Sequence, residues 1–186
     1  MTELAVKRLT FEEFASRTDF GRCELVDGRL EELVAPRPFH SWTTSRIVCI
    51  LDPYLTEHDP EGFWGVELDI PTIPYFGRRP DFVYYSAEAA AGGIDLANNR
   101  VTGVPTLVVE VVSPDDERRD RVTKRREYAQ AGIKHYWLVD PEDRSAQLLR
   151  LTGVRYDIAA EFTGGASITT ELFPRLVIPL SSLFRK

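Results

Sequence analysis

The stretch Pro105-Thr-Leu-Val-Val-Glu-Val-Val-Ser-Pro114 has the composition of a buried β-strand, yet it carries a carboxylate near its middle. Successive side chains of a strand point to opposite faces, so Leu107, Val109 and Val111 share one face and Val108, Glu110 and Val112 the other. Apolar residues on both faces mark a central strand covered on each side by helices. An ionised glutamate there is costly unless something pairs with it or it coordinates a cation. Glu110 therefore calls for a partner.

The flanking sequence sets the strand in its context. Ser113 suits an N-cap, Pro114 the first helical position, and Asp116 follows the serine by three. Asp115, Asp116 and Glu117 favour the positive end of a helix dipole, and Gly132 is a natural stop. KHYWLVD (134–140) then reads as a second strand, so 105–140 forms a βαβ-like unit. Upstream, Thr10 and Glu13 make a capping box, and CELVDGRLEELVA alternates around an Asp27-Gly28 hairpin turn. Residues 39–58, with Trp42, Ile47, Ile50, Leu51 and Leu55, predict a helix. FWGVELDI (63–70) and PDFVYY (80–85) predict strands, and 87–103 a loop with a helical turn. Downstream of Asp140, SAQLLRL, GVRYDIAAEF, ITTELF and RLVIPLSSLF predict short strands and a terminal helical turn. The expectation is a single domain over 1–186, of α/β (α+β) class, with a mixed β-sheet flanked by helices.

Composition narrows the function classes. The 186 residues are 43% hydrophobic and 28% charged, the balance of a folded globular domain. No apolar run approaches the roughly 20 residues that span a bilayer. The opening MTELAVKRLTFEEF turns polar before a signal core can form, and Cys23 and Cys49 lack metal or disulfide spacing. They read as small core hydrophobes in a reducing, cytoplasmic protein. A net charge of −6 argues against broad nucleic-acid binding. Arg118, Arg119, Arg121, Lys124, Arg125 and Arg126 nevertheless concentrate six cations within nine positions.

Four side chains combine into possible chemistry: Glu24 in CELVDG, Asp81 in RRPDFVYY, Glu110, and Lys124 of the basic helix. Carboxylates from neighbouring strands can hold a hard cation such as Mg2+, which keeps several waters. A nearby lysine can orient or deprotonate the attacking water and neutralise developing phosphate charge. Lys124 lies about ten residues into a helix that returns along the strand, or ~15 Å; if regular helix begins a few residues late, it lies level with Glu110. Taken singly, Asp81, Glu24 and Lys124 also fit a strand start, a hairpin and a solvated helix. The basic run also fits a solvated face with pairs such as Asp120 and Lys124. His40 suits contact with phosphate or metal, His58 sits near a helix end, and His135 precedes a strand.

CELVDGRL, APRPFH, RRPDFVYYS, PTLVVEVVSPDDERRDRVTKRREYAQAGIKHYWLVDPEDR and LFPRLVIPLSSLF resemble, in that order, the Uma-type family of putative restriction endonucleases. That family belongs to the PD-(D/E)XK nuclease superfamily, and the similarity runs from about residue 8 to 184. The resemblance implies a restriction-endonuclease-like core and a Mg2+- (or Mn2+-) dependent site cleaving phosphodiester bonds in DNA. By it, Asp81 corresponds to the aspartate of the PD half-motif and Glu110 to the acid of the second half. Val112 stands where the simple motif has lysine, and Lys124 matches a lysine that family members carry in the following helix. Glu24 matches an acidic residue and an additional metal or water ligand, and His40 a histidine after a proline-rich turn. Arg118, Arg119, Arg121 and Arg125, with His40, are the expected nucleic-acid contacts. A homodimer, with one site for each strand, is the expected assembly, and LFPRLVIPLSSLF fits either core or dimer surface.

Two rivals stand beside the endonuclease: a catalytically silent nuclease fold that binds nucleic acid or a partner, and a metal-free glycosidase using paired carboxylates. Intact Glu24, Asp81, Glu110 and Lys124 count against the first, and the sequence shows no aromatic-lined sugar groove for the second.

Overall fold

The computed structural model describes residues 7–17, 21–98, 100–114 and 117–184. Helix α1 (Phe11–Ala15) starts at Thr10 through the expected reciprocal capping box with Glu13. A small antiparallel sheet follows, from β1 (Cys23–Val26), β2 (Arg29–Glu32), β4 (Ile70–Pro71) and β5 (Gly77–Arg78), ordered β2-β1-β5-β4. Asp27 and Gly28 both have positive φ, 51° and 74°, as a two-residue type I′ hairpin requires. Helix α2 (Pro38–His58) begins with proline at its first position.

The main sheet holds β3 (Phe63–Gly65), β6 (Phe82–Tyr85), β9 (Leu107–Val111), β10 (His135–Asp140), β11 (Ser145–Thr152) and β12 (Arg155–Thr163). Their order is β12-β11-β10-β9-β6-β3. Neighbours β9 and β10 are parallel and the other pairs antiparallel, so the sheet is mixed. Two ribbons complete the strands: β7 (Ile94–Asp95) with β8 (Arg100–Val101), and β13 (Ser167–Ile168) with β14 (Ile178–Pro179). Helix α3 (Ala87–Gly93) leads into the first ribbon, and α4 (Arg125–Gln130) lies in the β9–β10 crossover.

The two faces of β9 point into two hydrophobic cores, as its alternation requires. Leu107, Val109 and Val111 pack with Ile47, Leu51 and Leu55 of α2. Val108 and Val112 pack with Tyr128 of α4, Tyr136 and Leu138. Glu110 therefore faces the α4 side, 3% exposed. The C-terminal Phe173, Ile178, Leu180 and Leu183 belong to the α2 core, whereas Val177 of the same segment is exposed.

Several expectations change. The stretch 63–70 is two strands in different sheets, because the chain turns at Glu67, a non-glycine residue with φ 47°. The 87–103 region is more ordered than a loop, with α3 and a β-ribbon. Gly93 and Gly103 let those two segments touch: a Cβ on Gly93 would lie 2.6 Å from the Gly103 Cα. Cys23 is buried as expected, whereas Cys49 is exposed on α2. The helix after β9 is π-helical from Arg119 to Lys124 before it becomes α4. Asp115 and Asp116, expected at its start, lie outside the described residues; Gly132 closes it with φ 81°.

Candidate active site

Asp81 and Glu110 come together through strand register. Phe82 of β6 pairs antiparallel with Val109 of β9, and one further step in that register sets Asp81 opposite Glu110, on the same face. The Val111 N–H donates to Asp81 Oδ2 at 2.7 Å, locking the carboxylate onto β9. The other oxygen, Oδ1, lies 3.1 Å from His40 Nε2. His40 reaches it from the first turn of α2, which enters the site from the opposite core.

Glu110 Oε1 accepts a hydrogen bond from the Tyr128 hydroxyl at 2.6 Å and lies 2.9 Å from Lys124 Nζ. Lys124 is the last residue of the π-helical segment, and its ammonium also stands 3.2 Å from Asp120 Oδ1 and 3.6 Å from Glu24 Oε1. The relocated lysine thus reaches the strand carboxylate from the helix. π-Helical turns inside helices occur frequently at functional sites. Here the segment brings Asp120 and Lys124, both buried, to the same point.

Glu24, fully buried on β1, is surrounded by donors. Oε2 accepts from Arg78 Nη1 at 2.7 Å and Arg119 Nη2 at 2.5 Å, and Oε1 from the Arg79 N–H at 3.0 Å. Burial alone would raise its pKa. Lys124, Arg78, Arg119 and the Arg79 N–H outweigh burial and hold it at about 2. Glu110 goes the other way. Burial, joined by the negative charges of Asp120, Asp81 and Glu24, outweighs Lys124 and lifts it to about 8. Burial also opposes charge on Lys124, but Glu110, Glu24 and Asp120 more than compensate and keep it an ammonium.

Glu24, Asp81, Glu110, Asp120 and Lys124 line one pocket of about 70 Å3, together with His40, Arg119 and Ser113. Sequence reasoning missed Asp120 as a site residue, because an i,i+4 acid–lysine pair on a helix ordinarily lies in solvent. It also missed Arg22, Arg37 and Arg79, which line the same pocket. The basic-helix arginines are largely engaged within the protein: Arg119 with Glu24, Arg121 with Glu117 and Asp140, and Arg125 with the Tyr156 carbonyl. Arg118 is exposed.

Among the described residues, no group of three or more His, Cys, Asp or Glu side chains is arranged to hold a metal ion. Asp81 and Glu110 nonetheless fit Mg2+, which is commonly held by one or two carboxylates and completes its shell with water. No helix among the described residues is long and apolar enough to cross a membrane.

Comparison with known proteins bears on the fold and the family. A putative nuclease belonging to DUF820 from Anabaena variabilis ATCC 29413 has the same fold, with a TM-score of 0.74 and 18% sequence identity. The match covers 94% of this chain and 97% of that one. No curated protein matches the chain. The sequence pattern of the Uma2 family, described as "Putative restriction endonuclease", matches residues 10–181. The chain belongs to that family.

Proposed function

We propose that the chain is a metal-dependent DNA endonuclease that hydrolyses phosphodiester bonds in the Asp81–Glu110 pocket. The observation that carries this reading is the convergence of Asp81, Glu110 and Lys124 at one opening from three separate elements. Asp81 and Glu110 would hold Mg2+ or Mn2+, whose bound form supplies Lewis-acid stabilisation and a more acidic water. Asp81 keeps its orientation through the Val111 N–H and His40, so its carboxylate is fixed before substrate arrives. Lys124, held as an ammonium, has no lone pair for a proton. It orients the attacking water and meets negative charge on the phosphate rather than acting as the base.

Arg119 lies at the pocket and Arg118 is exposed beside it, so the N-terminal part of the basic helix offers backbone phosphate contacts. Arg121, Arg125 and His40 extend that set, with Arg121 and Arg125 first leaving partners within the protein. Such contacts position a nucleic acid without reading its sequence. A homodimer would present one site to each strand of a duplex.

Plasmid nicking in Mg2+ tests the assignment, with Glu110→Ala and Lys124→Ala as comparisons. Equal cleavage by all three proteins would defeat it. Calorimetry that finds no Mg2+ binding at millimolar concentration would favour the silent module.

A further inference from the structure

Behind the pocket lies a run of buried charges that the proposed reaction does not use directly. Arg78, on β5, is 1% exposed. Its guanidinium meets Glu127 of α4 fork to fork, Nε to Oε2 at 2.7 Å and Nη2 to Oε1 at 2.8 Å. The remaining nitrogen, Nη1, donates to Glu24 Oε2. Glu24 in turn faces Arg119 and Lys124, and Lys124 faces Glu110. The sequence Glu127–Arg78–Glu24–Lys124–Glu110 thus ties the small sheet and α4 to the metal-facing carboxylate.

Both Glu24 oxygens are already engaged, one by two guanidinium groups and the other by a backbone N–H and the nearby ammonium. A metal ion bound at either oxygen would stand beside these buried positive charges, and like charges at close range in a poorly solvated site repel strongly. Bidentate guanidinium–carboxylate contacts fix direction as well as distance, so the Arg78–Glu127 fork determines where Glu24 points.

We propose that Glu24, Arg78 and Glu127 are positioning residues: a buried ion-pair relay that sets the Lys124 ammonium and the Arg119 guanidinium over the site, with Glu24 outside the metal's ligand shell. The inference rests on the nuclease reading for its purpose but not for its geometry. It also explains how a lysine displaced from the strand into a helix can be held as accurately as one on the strand.

The relay can be tested on the full chain without any activity. Nitrogen-15 NMR of lysine ammonium groups should show the Lys124 signal protected from solvent exchange in the wild type. Glu24→Gln and Arg78→Lys should each speed that exchange about tenfold or more, because each disturbs the fixed carboxylate that faces the ammonium. Both variants should keep cooperative melting. Glu127→Gln, at the far end of the relay, carries the same measurement should Glu24→Gln fail to fold.

Mg2+ titration supplies the second arm. Glu24→Gln should retain the wild-type ion affinity, whereas Glu110→Gln should lose it. In an active enzyme, Arg78→Lys should lower kcat and leave KM little changed. Unprotected Lys124 in the wild type, unchanged exchange in the variants, or loss of Mg2+ binding in Glu24→Gln would each overturn the relay. A wild-type protein that cleaves no nucleic acid but shows the Lys124 pattern would defeat the nuclease reading and leave the relay standing.

Discussion

Lys124 Nζ and Glu110 Oε1 lie 2.9 Å apart, one at the end of a π-helical segment and the other on the central strand β9. The compact nuclease motif would set its lysine on the strand itself, two residues after the acid. Here that position is Val112, buried at 3% in the α4-side core. The core thus gains a hydrophobic side chain while the ammonium arrives from the helix.

Loss of either partner should be severe. Glu110→Ala and Lys124→Ala are each expected to lower Mg2+-dependent nicking by about 10²–10³-fold, the range for removing one preorganised electrostatic group. The double variant should lose less than the product of the two single effects, because neighbouring groups are not additive. Initial rates on supercoiled plasmid measure both.

Mg2+ should stabilise the fold. An ion at a hundred times its dissociation constant contributes about 2.7 kcal/mol, visible as a rise in Tm. Glu110→Gln should remove most of that rise. Melts with Mg2+ and with EDTA compare the two directly.

In the absence of metal, two glutamates beside the same lysine should respond oppositely to pH. Glu110, raised to about 8, binds its proton more tightly in the folded chain than in the unfolded one. Its contribution therefore falls as pH rises from its ordinary value of 4.5 to about 8. Glu24, lowered to about 2, contributes stability that is present above 4.5 and lost as pH falls toward 2. Urea melts across this range should show stability rising on the acid side and declining toward pH 8. Glu110→Gln should flatten the decline and Glu24→Gln the rise.

The contact between Gly93 and Gly103 makes a prediction away from the site. Alanine at position 93 would set its Cβ 2.6 Å from the Gly103 Cα, a backbone atom with little room to yield. Gly93→Ala should destabilise by about 1–3 kcal/mol, as overpacking does. Gly92→Ala, which meets nothing within 4 Å, is the matched control in denaturant melts.

Much of this architecture was legible from local signals. Asp27-Gly28 announces its turn because few residue pairs accept two positive φ values. Glu110 announced itself because a charge inside an apolar strand demands a partner. The sequence was silent where tertiary contacts decide. The turn at Glu67 uses a residue with no turn preference, so 63–70 read as one strand. Asp120 looked solvated because no local pattern distinguishes a buried i,i+4 pair from an exposed one. Nor could the sequence show that Arg119, Arg121 and Arg125 meet Glu24, Asp140 and the Tyr156 carbonyl, because those partners come from distant parts of the chain.

Delivery of the ammonium by a helix makes the site sensitive to rotational phase. One residue inserted in the helix before Lys124 would turn its side chain by roughly a quarter turn around the axis, away from Glu110. An insertion amounting to whole turns would restore the direction but shift the side chain along the axis. Length changes in this crossover are therefore constrained in both angle and rise, whereas a lysine on the strand would be indifferent to them.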